Sequence, residues 1–521
     1  MASHIFAAID VGSFELEMGI FEISNKNGIR KVDHIRHVIA LGKDTYQNGK
    51  ISYHMVEELC SVLGDFAEIM KGYRAEDYRA YATSAMREAI NSQIVLDQIQ
   101  VRTGISVRII DNSEQRLLNY KAIAARGDKF DKNIKSRTAI ADVGFGSMQI
   151  SLFNESCLSS TENLPLGVLR IRSTLGDVDA TLDKTRSLIE EIVENELSNY
   201  KKMYLKEEQV EHVIGIGENI LYMFRYHDDG KPVDRISREE FESFFNQLSR
   251  MNETEIEEKF GISADYAALL MPSAIIYRKL LEMTGARMIW IPGIRLCDGI
   301  AAEYAGSHKL VKFKHNFDDD IISASRNMAK RYHCLSVHTE MVELFVLQMF
   351  DTMKRYHGMG DRERLLLQIA VIIHACGKFV SVRNSNECGY NIIMSTEIIG
   401  LSRLEREMIA NVVRYNIRDF DYNMVRMETE FNTAAGEFSS HNEIMILIAK
   451  MTALLRLANS MDRGHRQKLK GCRMAVKHDK FIVTTDYPGD ITLEALSFEQ
   501  KAAFFEEIFG IRPVLKQKRS I

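Results

Sequence analysis

Cysteine and proline are scarce in this sequence. Its 521 residues include seven cysteines, an odd number without a C-x-x-C pair, and only six prolines. The cysteine pattern argues against a disulfide framework and against a thiolate zinc site, and it favours a reducing cytoplasm. With so little proline and no low-complexity tract, we expect short linkers and a chain that is mostly packed.

Excess positive charge and a membrane segment are also missing. The 67 basic and 72 acidic residues leave a net charge of -5, so no global basic field points to nucleic acid as a partner. The first residues lack a basic region followed by an apolar run, and no later segment approaches the ~20 apolar residues of a membrane helix. The sequence therefore predicts a soluble intracellular protein with no membrane partner, in which any anion site is local.

The sequence does contain two similar apolar strands that each end in Asp-Val-Gly. The first runs from Ile5 to Ser13 and the second lies within residues 138–153, and each leads through a turn into a returning strand. Helix-like segments and further strands lie between the two. This order predicts a duplicated α/β domain around a cleft.

The pattern of apolar and polar residues changes near Tyr304. Helical periodicity then appears at residues 318–331, 339–356, 361–376, 394–399, 403–416 and 440–460, which is typical of an all-α domain. Candidate strands at 474–477 and 481–485 and a helix at 497–509 indicate a small α+β cap. The predicted domains are 1–124, 125–305, 306–470 and 471–521, and the chain is long enough for all four.

A glycine-rich loop at residues 142–149 carries the clearest chemical signal. Gly144 and Gly146 allow a tight turn that brings backbone N–H groups close to an anion, and Ser147 adds a hydroxyl donor. The last polar residue, Gln149, is an amide that cannot take a proton from an attacking water. The loop therefore predicts phosphate binding more clearly than it predicts hydrolysis.

Further short motifs accompany this loop in a specific order. They are Asp10-Val11-Gly12-Ser13, residues 82–91 (ATSAMREAIN), Leu164-Pro165-Leu166-Gly167, Ile214-Gly215-Ile216-Gly217 and residues 292–299. With them the chain resembles, over nearly its whole length, the Ppx/GppA family of exopolyphosphatases and guanosine pentaphosphate phosphohydrolases. The resemblance implies two actin-like (ASKHA, RNase H-like) α/β domains around a cleft, then an HD-like helical domain and an α+β cap.

The resemblance also implies roles for the matching residues. Asp10 and Asp142, at strand ends, would hold Mg²⁺, although an Asp that caps its own turn is the alternative for each. The guanidinium of Arg87 would bind phosphate oxygens, unless it is a surface arginine. The donors to phosphate would come from Gly12, Ser13, Gly144, Gly146, Ser147, Gly215 and Gly217.

Several positions depart from the family pattern. Phe14 and Glu15 stand where the family has Asn and Ser or Thr. Because a carboxylate repels phosphate, Glu15 either points away or serves as a relocated base, and we expect the first. Phe145 replaces a glycine and should narrow the approach to the loop backbone. Gln149 replaces the loop glutamate, and Glu218 and Asn219 replace residues of a glycine-rich loop.

The general base has two candidate positions. Matching Glu114-Gln115-Arg116-Leu117 to the family's Glu-Ala-Arg-Leu makes Glu114 the base and requires a one-residue deletion. An ungapped match places Gln115 there instead. We favour Glu114, because Arg116 and Leu117 then also match.

The HD-like domain has lost most of the residues that a metal site needs. His338 and His374 are present, but Ala375 replaces the expected Asp and Asn416 stands where relatives often have His. The histidines are therefore predicted to be packed core residues, and metal-dependent hydrolysis is not expected in this domain.

Three hypotheses follow for function. The first is an exopolyphosphatase-like hydrolase that removes terminal phosphate from inorganic polyphosphate or guanosine pentaphosphate, with reduced activity. The second is a degenerate sensor that binds such a ligand without turnover, and the third is a scaffold with an empty cleft. The resemblance further implies a homodimer in the cytoplasm.

Overall fold

The computed structural model describes residues 3–127, 129–175, 182–206, 208–224, 233–422 and 441–518. They form two compact units, Met1–Phe317 and Asp318–Ile521. The predicted four-domain division stays a prediction.

The first half of the first unit is built on a five-stranded sheet. The strand order is β3-β2-β1-β4-β5, with β1 antiparallel to β2 and parallel to β4. Its elements are β1 (His4–Val11), β2 (Glu15–Ser24), β3 (Gly28–Val38), α1 (Leu41–Asn48), α2 (Tyr53–Tyr73), β4 (Asp77–Ala82), α3 (Ser84–Glu88), α4 (Ser92–Thr103), β5 (Val107–Ile109), α5 (Asn112–Ala125) and α6 (Lys129–Asn133).

The second half of the first unit repeats this strand connectivity in a six-stranded sheet. The strand order is β10-β11-β9-β6-β7-β8, with β6 antiparallel to β7 and parallel to β9. Its elements are β6 (Thr138–Val143), β7 (Met148–Asn154), β8 (Cys157–Leu164), α7 (Val168–Leu175), α8 (Leu182–Tyr200), a π-helical turn (Lys201–Leu205), β9 (His212–Ile216), α9 (Glu218–Met223), β10 (Arg235–Ser237), α10 (Arg238–Leu248), α11 (Glu253–Phe260), α12 (Ala264–Thr284), β11 (Met288–Trp290) and α13 (Leu296–Ser307).

The predicted duplication of an α/β domain is therefore confirmed. The two Asp-Val-Gly hairpins occupy matching places, and their registers match as well: Asp10 pairs with Glu17, and Asp142 pairs with Gln149. Each aspartate thus stands near the end of its central strand, opposite one side chain of the returning strand.

Both faces of β1 are buried, which explains its continuous apolar sequence. Ala7 and Ile9 belong to the core that includes residues of α2 and α4. Phe6 and Ala8 belong to the core on the other face, together with Cys297 and Ile300 of α13. A helix that the sequence placed within residues 125–305 therefore packs against the first sheet, because the chain returns to it after β11.

The second unit is mainly helical and ends in a three-stranded sheet of order β12-β13-β14. Its elements are α14 (Phe317–Arg331), α15 (Ser336–Thr352), α16 (Lys354–His357), α17 (Asp361–Ile373), a 3₁₀ turn (Cys376–Phe379), α18 (Ser385–Ser395), α19 (Arg403–Tyr415), α20 (His441–Met461), β12 (Arg473–Lys477), β13 (Lys480–Thr485), α21 (Thr492–Phe509) and β14 (Arg512–Gln517).

Two local predictions in this unit are wrong. The helix expected over residues 394–399 ends at Ser395, because Thr396 is already extended with φ -108° and ψ 129°. The sequence also missed β14, which pairs in parallel with β13. A six-residue strand with a proline near its start gives little periodic signal.

One helix exceeds the apolar length expected from the sequence. By length and composition α20 could span a membrane, and 72% of its most apolar window is buried inside the protein. A second candidate, α11 with α12, is bent by 102° at its break. The burial of α20 is typical of a helix in a protein core.

Candidate functional site

A cleft of about 110 Å³ lies in the first unit where β1, β6 and β9 end. Its lining includes both strand-end aspartates and loops from both halves of the duplicated fold. The lining residues are Asp10, Gly12, Ser13, Glu15, Glu17, Thr83, Ser84, Gln115, Asn119, Asp142, Gly144, Phe145, Gly146, Ser147, Gln149, Ile216, Gly217, Glu218, Ile294, Arg295 and Leu296.

In the loop after β6, the backbone carbonyl groups accept hydrogen bonds from the protein itself. The carbonyls of Gly144 and Phe145 accept hydrogen bonds from Val168 and Leu169 at the start of α7, and Arg170 Nε donates to the Gly146 carbonyl at 2.7 Å. Within the described part of the chain, the backbone N–H groups of residues 145–147 donate to no protein acceptor. These amides are the donors that a phosphate group would need.

Close packing requires glycine in this loop and beside it. A Cβ at Gly146 would lie 2.0 Å from the Tyr46 hydroxyl oxygen and 2.4 Å from Ser84 Oγ. A Cβ at Gly167 would lie 2.1 Å from the Gly146 carbonyl carbon. Gly146 and its neighbour Gly167 therefore fix the loop shape by packing.

The loop after β1 is held by a hydroxyl cluster. Gly12 N–H donates to the Glu15 carbonyl at 3.0 Å, which closes the turn. Ser13 Oγ lies 2.8 Å from Ser84 Oγ and 2.9 Å from the Tyr46 hydroxyl, and it accepts from Ala85 N–H at 3.1 Å. The Ser13 hydroxyl thus joins this loop to α3, a structural role that the sequence did not indicate.

The third predicted phosphate loop contributes only part of its glycines to the cleft. Gly217 lines it with φ +108°, and a Cβ there would lie 2.6 Å from the Val143 carbonyl oxygen. Gly215 is not among the lining residues. It packs inside β9, where a Cβ would lie 2.6 Å from Ile220 Cδ1. Gly215 therefore has a packing role, and its predicted contact with phosphate stays a prediction that this placement disfavours.

Arg87 and Glu114 do not line the cleft either. Arg87 Nη1 donates to the Ile110 carbonyl at 2.5 Å, and its Nη2 donates to Asn112. Glu114 Oε2 accepts from Asp111 N–H at 3.0 Å in a capping box that begins α5. Its Oε1 accepts from Arg108 Nη1 at 2.7 Å.

Gln115 of this helix faces the cleft, as does Asn119 one turn later. The position therefore fits the ungapped match better than the match we favoured from the sequence. Adjacent residues on a helix point in different directions, so capping by Glu114 turns Gln115 toward the strand ends. The catalytic assignment of Glu114 stays a prediction, and this placement disfavours it.

Both strand-end aspartates are in electrostatically unfavourable surroundings. Burial raises the pKa of Asp10 well above its ordinary value, and the nearby carboxylates of Glu17 and Glu15 raise it further. Burial raises the pKa of Asp142 to about 6, against the lowering effects of Arg116 and of a 2.7 Å hydrogen bond from Asn119. Asp10 Oδ1 is buried and accepts no hydrogen bond from the residues described.

The expectation that Glu15 points away from the cleft is wrong. Glu15 is 4% exposed and lines the cleft with Glu17, which is 3% exposed. The two residues are separated by one position on β2, so their side chains share a face. Burial raises the pKa of each to about 8, together with the charges of Glu17 and Glu218 in the case of Glu15 and of Glu218 in the case of Glu17.

Glu17 and Arg295 are cleft residues that the sequence reasoning missed. Glu17 follows Asp10 at the same spacing at which Gln149 follows Asp142, and this repeat could have identified it. Arg295 precedes α13, and its Nε lies 2.5 Å from Glu218 Oε1. No pattern in the sequence predicts that Arg295 and Glu218 lie together.

The second unit holds the two histidines predicted to remain from an HD-like site. His338 Nδ1 lies 2.8 Å from Asp462 Oδ2, and its Nε2 lies 3.1 Å from Asn459 Oδ1. His374 Nδ1 lies 2.7 Å from the Val371 carbonyl, and burial lowers the pKa of His374 to about 4. These are partners of packed residues, while the HD-like assignment itself stays a prediction.

Two parts of this chain match known protein families. Residues 20–308 match the Ppx/GppA phosphatase family, and residues 322–500 match domain III of the Ppx/GppA phosphatases. This chain belongs to the Ppx/GppA phosphatase family. Asp142 and most of the cleft lining lie within the first match, whereas Asp10 and the loop after β1 precede it.

Several relatives of this Ppx/GppA protein illustrate how distant it is. It is 21% identical over 427 residues to a guanosine-5'-triphosphate,3'-diphosphate pyrophosphatase of Photobacterium profundum, which covers 79% of this chain and 80% of that protein. It is 22% identical over 296 residues to exopolyphosphatase 1 of Mycobacterium tuberculosis, which covers 56% of this chain and 83% of that protein.

A solved structure supports the actin-like fold of the Ppx/GppA region. An exopolyphosphatase from Cytophaga hutchinsonii matches with a TM-score of 0.51 and 16% identity, covering 59% of this chain and 99% of that chain. The predicted fold class, α/β actin-like halves followed by a helical region, is confirmed.

Proposed function

We propose that this Ppx/GppA protein hydrolyses the terminal phosphoanhydride of inorganic polyphosphate or guanosine pentaphosphate slowly, in the cleft of the first unit. The observation that carries the proposal is the loop at residues 144–147, whose carbonyls are bound by α7 and whose following amides have no acceptor among the residues described. Membership of a phosphatase family supports the reaction type.

The strand-end aspartates have the oxygen donors that Mg²⁺ prefers. Asp10 has a buried Oδ1 without a donor among the described residues, and Asp142 lines the same cleft. We therefore propose that Asp10 and Asp142 hold Mg²⁺, which would offset the charge of phosphate oxygens. The protein's own task is then to position phosphate and water, which is most of what phosphoryl transfer requires.

The slow rate follows from two amides. Gln149 lines the cleft where the family resemblance implies a carboxylate, and Gln115 lines it at the position that the ungapped match gives to the general base. Each can orient a water by hydrogen bonding, but neither can accept its proton. Loss of a positioned base typically costs ~10² to 10⁴ in rate.

The same two amides favour the second candidate function, a sensor that binds the ligand and does not turn it over. The deciding experiment measures phosphate release from long-chain polyphosphate and from guanosine pentaphosphate, with hydrogen exchange of the cleft loops measured in parallel. Release that is abolished by Asp142→Asn supports the hydrolase. Protection of residues 144–147 without phosphate release supports the sensor. If neither phosphate release nor protection is observed, both candidate functions are contradicted.

Location and assembly belong to the same proposal. All seven cysteines are free, which suits a reducing cytoplasm. The family resemblance favours a homodimer, which light scattering of the full chain would test.

A further inference from the structure

Three glutamates form a compact group in the cleft. Glu15 and Glu17 come from β2 and Glu218 from the start of α9, and one carboxylate oxygen of each lies within 4.8 Å of the others. Two of the three are almost completely buried, with 4% of Glu15 and 3% of Glu17 exposed. Like charges this close are costly unless something between them offsets the charge.

Each glutamate is oriented through an outer partner. Glu15 Oε2 accepts a hydrogen bond from the Tyr266 hydroxyl. Glu17 Oε2 lies 3.3 Å from His34 Nε2. Glu218 Oε2 accepts from Arg295 Nη2 at 3.0 Å. Carboxylates that bind metals are commonly held in this way by a second group.

The second carboxylate oxygens of Glu15 and Glu17 have no donor among the described residues. Glu15 Oε1 and Glu17 Oε1 are buried and accept no hydrogen bond from the part of the chain that the structure describes. Gln149 gives an independent sign of a missing ligand: it is 4% exposed and lines the same cleft, and its Oε1 likewise has no described donor. A buried acceptor of this kind normally has a partner.

Two arginines lie close to this group of carboxyl groups. Arg295 lies 2.5 Å from Glu218 and 3.5 Å from Glu17, measured from its Nε. Arg36 Nη1 lies 3.6 Å from Glu218 and 3.9 Å from Glu15. Asp10, whose pKa responds to all three glutamates, has no ion-pair partner among the residues described.

Two guanidinium groups thus face four carboxyl groups, counting Asp10.

We propose that Glu15, Glu17 and Glu218 bind one hard divalent cation, Mg²⁺ or Mn²⁺, in the absence of any phosphate compound. A donor set made only of oxygens selects such ions over softer metals. The site is distinct from the pair Asp10 and Asp142, and it goes beyond the proposed hydrolysis because it requires no substrate. A bound cation would also convert a cleft that repels phosphate into one that attracts it.

The test is a titration of the full-length, metal-free protein with Mn²⁺, following free Mn²⁺ by electron paramagnetic resonance. We expect saturable binding that Mg²⁺ displaces. Glu17→Gln and Glu218→Gln should each weaken Mn²⁺ binding at least ~10-fold, since both remove a charged ligand.

Glu162→Gln is the matched control. Glu162 on β8 accepts a hydrogen bond from Tyr204, as Glu15 does from Tyr266, but it lies outside the cleft lining. Its replacement should leave Mn²⁺ binding unchanged. Circular dichroism establishes that each variant is folded, and removing a buried charge should keep or raise its melting temperature.

Two results would overturn the proposal. One is folded wild-type protein that binds no Mn²⁺ at millimolar concentration. The other is loss of Mn²⁺ binding in Asp142→Asn with unchanged binding in both glutamate variants, which would place the cation at the aspartates. Absence of phosphate release would contradict the proposed hydrolysis and leave the Mn²⁺ result intact, so the two failures are distinguishable.

Discussion

Gln149 pairs with Asp142 across the antiparallel ladder of β6 and β7. The amide thus stands beside one of the two aspartates of the cleft, at the place where the family resemblance implies a carboxylate. The first hairpin has Glu17 in the matching position, opposite Asp10. The two halves of the fold therefore offer the same geometry with different chemistry.

Gln149→Glu should increase phosphate release by ~10² to 10⁴, because it restores a group that can take a proton from water. The measurement is the steady-state rate with polyphosphate and with guanosine pentaphosphate. Asn163→Asp is the control: Asn163 pairs with Gln149 from β8 and is not part of the cleft lining. An equal increase in both variants would assign the effect to general charge, contrary to our interpretation.

Glu114→Gln should lower the free energy of unfolding while leaving the rate of phosphate release nearly unchanged. Glu114 caps α5 and pairs with Arg108, so its neutralisation should cost ~1–3 kcal/mol in the free energy of unfolding, measured with urea. Gln115→Ala should show the opposite pattern, with weaker ligand binding and nearly unchanged stability. A large loss of turnover in well-folded Glu114→Gln would restore our sequence-based choice of Glu114 as the base.

Gly167→Ala should displace the phosphate loop. Its Cβ would lie 2.4 Å from the Phe145 carbonyl oxygen and from Ser147 N, so we expect a cost of ~1–3 kcal/mol and loss of ligand protection at residues 144–147. Gly64→Ala in α2 is the matched control, since its Cβ would meet nothing within 4 Å. That variant should be more stable than the wild type by ~0.5–1 kcal/mol. Normal loop protection in Gly167→Ala would contradict the packing argument.

The stability of the metal-free first unit should fall as pH rises. The pKa of Glu17 is raised to about 8 in the folded protein, whereas an unfolded glutamate titrates at ~4.3. The folded state therefore binds more protons between these two values, and the stabilisation present below pH ~4.3 is lost as the pH rises toward 8.

Melting temperatures measured between pH 5 and 9 in a chelating buffer test this expectation. Glu17→Gln should show a smaller decrease than the wild type, and Glu162→Gln should behave like the wild type. A wild-type melting temperature that increases over this range would show that the glutamates are not protonated on folding.

Asp462→Ala should destabilise the second unit by ~1–3 kcal/mol, because it leaves buried donors without an acceptor. Asp462 is 1% exposed, accepts from Gln467 N–H at 2.7 Å and lies 2.8 Å from His338. Asp486→Ala is the control, since its side chain is 59% exposed and its ion pairs lie at the surface. Chemical denaturation should separate the two variants, and equal effects would contradict the buried role of Asp462.

The departures from the family pattern act together in the folded protein. The rings of Phe14 and Phe145 lie 4.7 Å apart, so two replacements on different hairpins form one contact between the loops. The contact also includes Tyr266, whose hydroxyl binds Glu15. Phe145 therefore does more than narrow the approach to the loop, because it joins the two halves at the cleft.

The sequence by itself determined the two hairpins, the main helices and the glycine-rich turn at residues 144–147. Apolar runs ending in Asp-Val-Gly, and helical periodicity after Tyr304, depend on short-range patterns that the chain carries locally. For the same reason the glycines at 144 and 146 could be assigned to a tight turn without coordinates.

Only the tertiary structure decided which side chains meet in the cleft. Glu114 and Gln115 are neighbours in sequence, and a capping box at the start of α5 selects which of them faces the strand ends. Glu15, Glu17 and Glu218 converge with Arg295 because β2, α9 and α13 come together around the same site. The contacts between such distant segments depend on packing, which local sequence patterns do not encode.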